Sequence, residues 1–236
     1  MLINPKDLAA DLDRLEEIEK ASLRLVTQAN IEYRETAQEI FRAEGDLVAD
    51  IGEDITREAL DRMGMSKIDQ RLFGKMDYKR ARYLFHPEYA IKQALFVDSK
   101  AEKVSGEGTA TLQTSQFSMM VRQIRAQQVV EVKGKLPPVL TLRGEDFITT
   151  TLFVKYNYDA NGEYKLKSVT IAAVPNGMLQ DRYNPDVQNI IWIAGRNAPT
   201  LGEEFRVRLK FSRLKQRANW RVPKIPMPPE NFHWEA

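Results

Sequence analysis

Three side chains have the types and the spacing that phosphodiester hydrolysis needs: Asp77, Asp98 and Lys100. Asp98 and Lys100 follow the apolar run 94–97, and because strand side chains alternate with a period of two, both should point to one face of a strand. We expect a hairpin or short crossover to bring Asp77 alongside Asp98. Two carboxylates can hold a divalent cation against a phosphate, and an ammonium group can stand beside the attacking water. The triple therefore predicts a metal-dependent phosphodiesterase site.

The acid-x-Lys pattern alone has little specificity, since it recurs at residues 77–79, 131–133 and 163–165. A solvated strand edge is the ordinary interpretation of such a pattern. Only residues 98–100 follow four consecutive apolar residues, which is typical of a strand buried on both faces. A charged pair at the tip of a buried strand is costly unless it has partners. Context therefore favours residues 98–100 as the chemical site.

Composition excludes several classes of site. The chain has 236 residues, 43% of them apolar, which suits one domain with a sizeable core. It has no cysteine and only His86 and His233, so thiol chemistry and a histidine-rich metal site are excluded. No apolar stretch reaches the ~20 residues of a membrane helix, and no signal peptide or glycine-rich phosphate loop occurs. We expect a cytoplasmic protein without a nucleotide cofactor.

Net charge does not mark the chain as a DNA-binding protein, because 35 basic residues oppose 33 acidic ones, leaving +2. Any affinity for DNA must come from local clustering of basic side chains. The strand-like segment 205–211 shows such clustering, with Arg206, Arg208 and Lys210 on one face and apolar side chains on the other. It is either an edge strand kept soluble by charge or a ribbon that faces DNA. The residues alone leave both interpretations open.

The N-terminal third is predicted to be helical and acidic. Apolar residues at steps of three and four predict one long amphipathic helix from about Pro5 to Ala43. They are Leu8, Leu12, Leu15, Ile18, Leu25, Val26, Ala29, Tyr33, Ala37 and Ile40. The polar face carries Asp11, Asp13, Glu16, Glu17, Glu19, Glu32, Glu35 and Glu39. DNA phosphates would repel this face, so the helix should pack on the core or on another subunit.

A second helix is predicted over residues 51–63, with Ile55, Ala59, Leu60 and Met63 on one face. Of its acids, Glu53 either approaches the metal site or, like Asp54, simply favours the helix dipole.

The C-terminal half is predicted to consist mainly of strands. Residues 148–158 and 164–174 flank an Asn-Gly turn and predict an antiparallel hairpin. Residues 190–193 predict a short buried strand. The proline-rich segment 222–229 is predicted to form no regular element. It should be an extended arm, which either wraps a neighbouring subunit or is a tail.

Several longer motifs resemble the SfiI family of type II restriction endonucleases. They are residues 52–60, 71–83, 95–101, 111–116, 180–186, 194–199, 211–215 and 220–221. The resemblance runs, with gaps, from about the first helix to Trp220 and is far more specific than acid-x-Lys. Residues 118–146 match poorly, and the proline-rich C-terminus is different and shorter.

The resemblance implies an α/β (α+β) fold with a restriction-endonuclease-like core, a mixed β-sheet flanked by helices and an added β-rich DNA-recognition region. It also implies magnesium-dependent cleavage of double-stranded DNA at an interrupted GC-rich palindrome by a homotetramer acting on two sites. A palindrome by itself requires at least a homodimer. The family places basic side chains in the major groove at positions matching Arg196 and Arg206, the first of which is a lysine in the namesake enzyme. We assign Arg208 to a phosphate contact or to structure.

The sequence as a whole therefore predicts a type II restriction endonuclease that uses Mg²⁺. Asp77 and Asp98 would hold the metal with the Ser99 carbonyl, while Lys100 would orient or activate the water. We expect a single nuclease domain over residues 1–236. Its parts are a helical region 1–65, catalytic strands 66–105, a β-rich DNA-recognition part 148–221 and a C-terminal arm 222–236. The alternatives are a non-specific or repair nuclease with the same core and a non-catalytic DNA-binding protein.

Overall fold

A mixed β-sheet forms the centre of the molecule, with long helices packed on one face and a smaller sheet on the other. The computed structural model describes residues 2–43, 48–64, 82–86, 88–106, 108–159, 164–194 and 205–234. Within these ranges, no helix combines the length and apolar character needed to cross a membrane.

The two long helices precede all the described strands in the chain. The helices are α1 (Leu12–Ala43), α2 (Val48–Arg62), α3 (Gln180–Tyr183) and α4 (Phe211–Arg217). The first seven strands are β1 (Arg82–His86), β2 (Ile91–Lys103), β3 (Thr109–Gln113), β4 (Met120–Arg125), β5 (Gln128–Lys133), β6 (Val139–Leu142) and β7 (Glu145–Asp159). The others are β8 (Lys165–Val174), β9 (Trp192–Ala194), β10 (Arg206–Lys210) and β11 (Lys224–Pro226).

The long N-terminal helix is confirmed, but its start was placed too early. Residues 5–10 form a separate 3₁₀ turn, and α1 begins only after Asp11. Asp11 has non-helical dihedrals, and its carboxylate accepts a hydrogen bond from the backbone N–H of Arg14 at 3.1 Å. An N-cap of this kind marks the start of a new helix. The spacing of apolar residues does not reveal such a break.

Helix α1 packs on the core, which was one of the two predicted arrangements, the other being packing on another subunit. Leu15, Ile18, Val26 and Ala29 are buried, together with most of the predicted apolar face. The assignment of Glu19 to the solvated face is wrong, because Glu19 is fully buried and paired with an arginine. Helical periodicity could not distinguish this acid from the solvated ones around it.

Helix α2 also follows its prediction, with Ile55, Ala59 and Leu60 buried. Met63 is the exception: it lies just beyond the end of α2 and is 36% exposed. A residue that follows the last helical turn no longer shares the face that the helical period assigns to it.

The six strands of the main sheet follow the order β1-β2-β7-β8-β11, with β6 pairing beside one end of β7. Strands β2 and β7 run parallel, and the other pairs are antiparallel. The predicted hairpin is confirmed as β7 and β8, and its turn at 160–163 lies outside the described residues. These two strands are within the predicted recognition part 148–221, yet they share a sheet with β2.

The second sheet has the order β3-β10-β9, and β4 and β5 form a separate ribbon. The strand predicted at 190–193 is found at Trp192–Ala194, with Ile191 buried just before it. The clean alternation predicted to continue to Phe211 stops at Lys210, since Phe211 begins α4.

The prediction that residues 222–229 form no regular element is wrong. Strand β11 pairs antiparallel with β8, and Ile225 at its centre is fully buried. Proline is tolerated on an edge strand, where its missing N–H faces away from the ladder. The segment is therefore an edge of the main sheet of its own chain.

Candidate active site

Strand β2 holds Asp98 and Lys100 on one face, as their spacing predicted. The Asp98 side chain is buried at 3% exposure, and Lys100 is partly exposed. On the opposite face Leu95 belongs to the core cluster under the helices, and Val97 packs against that cluster. The alternation of side chains thus separates the chemical face of β2 from its packing face.

Asp98 does not lie at the tip of its strand, which corrects the prediction. Strand β2 continues to Lys103, because the parallel ladder with β7 runs without a break from Gln93↔Ile148 to Lys103↔Tyr158. The apolar run ends before the strand does. Beyond Val97 the side chains are mostly polar, but the backbone of β2 stays paired with β7.

A glutamine that the sequence reasoning did not single out contacts the predicted acid. Gln116 Nε2 donates a hydrogen bond to Asp98 Oδ2 at 2.5 Å, and the Gln116 side chain is buried. Gln116 ends the 3₁₀ turn Thr114–Gln116, which directly follows β3. The available signal was the motif 111–116, whose role the sequence alone did not show.

A second residue that the sequence reasoning missed is Lys155 on β7. It is fully buried and is the register partner of Lys100 in the parallel ladder. Its Nζ lies 2.6 Å from Glu102 Oε2 and donates to the Thr109 carbonyl oxygen at 2.6 Å. A buried charge needs such partners. Lys155 thereby links β2 to the start of β3.

The electrostatic surroundings of Lys100 disfavour its charged form. Burial lowers the pKa of Lys100, and the charge of Arg206 lowers it further. Glu102 and Glu53 raise the pKa of Lys100 but offset the lowering only in part. An added anion, such as a phosphate, would favour the charged form of this lysine.

The contribution of Glu53 reflects the close approach of α2 to β2. A Cβ on Gly52 would lie 3.2 Å from the backbone nitrogen of Ala101 and 3.2 Å from a ring carbon of Tyr156. A side chain at Gly52 would therefore be in tight contact with β2 and β7. The exposed Glu53 follows directly, and its charge acts on Lys100. One of the two interpretations of Glu53 brought it toward the predicted site, and its electrostatic effect on Lys100 agrees with that interpretation.

The predicted recognition strand β10 is a central strand, so the edge-strand interpretation is wrong. Val207 and Leu209 are buried, and Arg206 and Arg208 alternate with them and are partly exposed. Arg208 Nε donates to the carbonyl oxygen of Ala194 at 3.0 Å, so part of its guanidinium supports β9. The positive face of β10 therefore does not serve to protect an edge.

Two predicted site residues, Asp77 and Arg196, lie outside the described residues. Among the residues that are described, no group of three or more His, Cys, Asp or Glu side chains is arranged to hold a metal. Asp98 is a buried oxygen donor next to a lysine, and Ser99 is buried beside it on the strand. Oxygen donors of this kind fit a hard cation such as Mg²⁺.

Comparisons with known proteins give a consistent result. A family model described as the type II restriction enzyme SfiI matches residues 20–225. The type II restriction enzyme SfiI of Streptomyces fimbriatus is 35% identical over 231 aligned residues, covering 91% of this chain and 85% of that protein.

Two solved structures share the fold. The crystal structure of tetrameric restriction endonuclease SfiI bound to cognate DNA has a TM-score of 0.82 and 31% identity, covering 98% of this chain and 90% of that one. The restriction endonuclease BglI bound to its DNA recognition sequence has a TM-score of 0.77 over 95% of this chain and 94% of that one. Its 17% identity makes that a likeness of fold alone. The predicted restriction-endonuclease core is confirmed.

Proposed function

Because the chain belongs to the SfiI family of type II restriction enzymes, we propose that it cuts both strands of double-stranded DNA at an interrupted GC-rich palindrome by Mg²⁺-dependent hydrolysis. The chain is a type II restriction endonuclease, and the cofactor, the kind of recognition sequence and the residue roles are the proposed parts. The observation that supports the chemistry is the placement of Asp98 and Lys100 on one face of β2, where Asp98 is buried and hydrogen-bonded.

The ligands we propose for the metal are the carboxylates of Asp77 and Asp98 and the main-chain carbonyl of Ser99. When bound, Mg²⁺ supplies Lewis-acid chemistry, polarising a phosphate oxygen and lowering the pKa of a water molecule. Asp98 contributes a carboxylate that its buried surroundings hold in one place. Hydrolysis joins the water oxygen to phosphorus and breaks the bond to the 3′ oxygen, so the products carry a 5′-phosphate and a 3′-hydroxyl.

Lys100 orients the attacking water and offsets the negative charge that accumulates on the phosphate. Burial already disfavours its ammonium form, and this lowering of the Lys100 pKa makes the ammonium responsive to nearby anions. A DNA phosphate beside Lys100 would raise the pKa of Lys100 and so favour its charged form. Arg206, whose charge also acts on Lys100, would then stand close to the cleaved strand.

We propose that Arg206, and Arg196 outside the described residues, read bases in the major groove. Arginine can donate two parallel hydrogen bonds to guanine O6 and N7, whereas lysine provides a point charge. Arg208 has a structural contact to Ala194 and would add a phosphate contact at most. A palindrome needs matching two-fold symmetry, so we propose a homodimer or a homotetramer.

The test is digestion of a mapped DNA with the purified protein and Mg²⁺, followed by sequencing of the fragment ends. We expect discrete fragments whose ends define one interrupted palindrome. A continuous ladder would instead identify a non-specific nuclease, and binding without cleavage would identify a non-catalytic DNA-binding protein. Sedimentation with and without DNA tests assembly, and a monomer under both conditions would contradict a palindromic cutter.

A further inference from the structure

Gln116 is held by hydrogen bonds at both ends of its side-chain amide. Its Nε2 donates to Asp98 Oδ2 at 2.5 Å, and its Oε1 accepts from the backbone N–H of Gln113 at 2.8 Å. The Gln113 contact fixes which end of the amide carries oxygen, since a backbone N–H can only donate. The amide nitrogen must therefore face the carboxylate of Asp98.

The turn that carries Gln116 is fixed by residues that follow the β4–β5 ribbon. The backbone N–H of Lys135 donates to the Thr114 carbonyl oxygen at 2.8 Å. Gly134 lies so close to the turn that a Cβ there would stand 2.1 Å from the carbonyl oxygen of Phe117. Only glycine fits at this contact, so the turn is clamped against its neighbour.

The same turn is joined directly to the proposed recognition strand. Gln113, which binds the Gln116 amide, is the register partner of Arg206 in the β3–β10 ladder. Lys155 reaches the other end of β3 through the Thr109 carbonyl oxygen. Strand β3 thus connects β10, which bears Arg206, to Asp98 through Gln116 at one end and to Lys155 at the other end.

We propose that Gln116 is a positioning residue that holds Oδ2 of Asp98 and so presents the carboxylate to the catalytic metal in one orientation. This inference rests on the proposed metal-dependent function. A metal-ligating group whose orientation is fixed by an outer hydrogen bond loses roughly 10–100-fold in metal affinity when that bond is removed. Gln116 itself need touch neither the DNA nor the metal for this role.

The experiment compares Gln116→Met, which keeps the size and loses the donor, with Gln116→Asn, which keeps the amide and shortens its reach. The matched control is Gln93→Met. Gln93 is also a fully buried glutamine, lies on the same strand as Asp98 and donates to Thr150 instead. For each variant, single-turnover cleavage is measured against Mg²⁺ concentration. The Ca²⁺-dependent gain in DNA affinity and the thermal midpoint are measured beside it.

We expect both Gln116 variants to need more Mg²⁺, by about 10–100-fold for Gln116→Met. Both should lose most of the Ca²⁺-dependent gain in DNA affinity while binding DNA without metal as the parent protein does. Gln93→Met should lower the thermal midpoint and leave the Mg²⁺ requirement unchanged. If Gln116→Met does not fold, Gln116→Asn decides the question alone.

Two results would overturn the inference: an unchanged Mg²⁺ requirement in the Gln116 variants, or an equal increase in Gln93→Met. Failure of the proposed function is a different observation, because the parent protein itself would then show no metal-dependent cleavage.

Discussion

Two clusters of charged and polar side chains in this protein, each built around a basic residue, differ in how the pKa of that residue is shifted. The Arg221 cluster consists of Glu16, Glu19, Arg182, Tyr183 and Arg221. The Lys100 cluster consists of Asp98, Lys100, Glu102, Gln116 and Lys155. Burial alone would lower the pKa of Arg221, yet the charge of Glu19 and the contacts of Tyr183 raise it above its ordinary value. The pKa of Lys100 stays lowered.

The contacts of Arg221 explain why its buried charge is well compensated. Arg221 Nη2 lies 2.6 Å from Glu19 Oε2 and 3.1 Å from Glu16 Oε1, and its Nε donates to the Tyr183 hydroxyl at 2.6 Å. These contacts join α1, α3 and the turn that precedes β11. The partners are supplied by the chain itself, so the cluster is complete without a ligand and serves the fold.

The Lys100 cluster has a different balance, since burial and the charge of Arg206 outweigh the effect of nearby acids on the pKa of Lys100. Perturbed groups of this kind cluster at functional sites. The two clusters therefore differ in the pKa of their central cation, which is raised at Arg221 and lowered at Lys100, although burial also raises the pKa of Glu19, the partner of Arg221.

The largest test of this contrast is Asp98→Ala. Loss of the proposed metal ligand should reduce cleavage by at least about 10⁴-fold, equivalent to more than ~5 kcal/mol of activation free energy. Metal-free binding to DNA should persist, because the base contact proposed for Arg206 lies on β10, away from the metal ligand on β2. Single-turnover cleavage and fluorescence anisotropy measure the two effects. Asp98→Asn, which keeps the shape, should behave in the same way, and substantial cleavage by either variant would remove Asp98 from the metal site.

The complementary test is Arg221→Met, which leaves Glu19 buried without its cation. Removing one partner of a buried pair typically costs about 3–5 kcal/mol of unfolding free energy. Denaturant unfolding measures this loss, and cleavage per folded molecule should not change. The double variant with Glu19→Gln should recover part of the loss. If Arg221→Met were as stable as the parent protein, the Arg221 cluster would have no structural role.

The sequence predicted the parts of this contrast that depend on local periodicity. Strand alternation correctly placed Asp98 with Lys100, and the helical period found α1 and α2. It could not show that Glu19 faces inward, because its partner Arg221 lies 202 residues away. The contact of Gln116 with Asp98 was hidden for a related reason, since Asp98 lies in the main sheet and Gln116 lies in the turn that follows a strand of the smaller sheet.

The resemblance to a family identified several long motifs but did not separate their roles. In the motif 180–186, Gln180 Oε1 accepts from the backbone of Met120 at 2.8 Å, and Asn184 Oδ1 accepts from that of Arg122 at 2.9 Å. Both side chains thus accept hydrogen bonds from backbone N–H groups of β4, as a neighbouring strand would. Matching a motif could identify the family, but only the contacts show that this motif supports the fold.

A finer test concerns the two arginines of β10, which sharpen the boundary of the chemical region. Arg206→Ala should cost roughly 1–3 kcal/mol of discrimination at one base pair. Arg208→Ala should weaken cognate and substituted sites alike, because its guanidinium supports β9. Binding to a set of single-base substitutions in Ca²⁺ measures both. Equal losses on every sequence for Arg206→Ala would assign it to the DNA backbone and leave the base reader unidentified.

The smallest expected effect concerns a third buried polar group, formed by His86 on β1, Gln93 on β2 and Ser22 on α1. His86 Nε2 lies 3.0 Å from Gln93 Oε1 and 3.2 Å from Ser22 Oγ. Burial lowers the pKa of His86 below its ordinary value of 6.5, although the Gln93 contact and the charge of Glu88 oppose this. The folded protein therefore binds fewer protons at this site than the unfolded chain. Its contribution to stability is complete above pH 6.5 and is lost as pH falls through that value toward the folded pKa.

We expect the free energy of unfolding to decrease between about pH 7 and pH 5 in the parent protein, and this component to be missing in His86→Gln. The matched control is His233→Gln, which changes the other, exposed histidine and should keep the parent slope. Denaturant midpoints across that range measure the slope, which is compared instead of the absolute stability because His86→Gln also changes hydrogen bonds. The same slope in all three proteins would mean that His86 does not titrate there. A change in the Mg²⁺ requirement of His86→Gln would indicate that this group acts together with the Lys100 cluster. An unchanged requirement would indicate that it stabilises the fold, as the Arg221 cluster does.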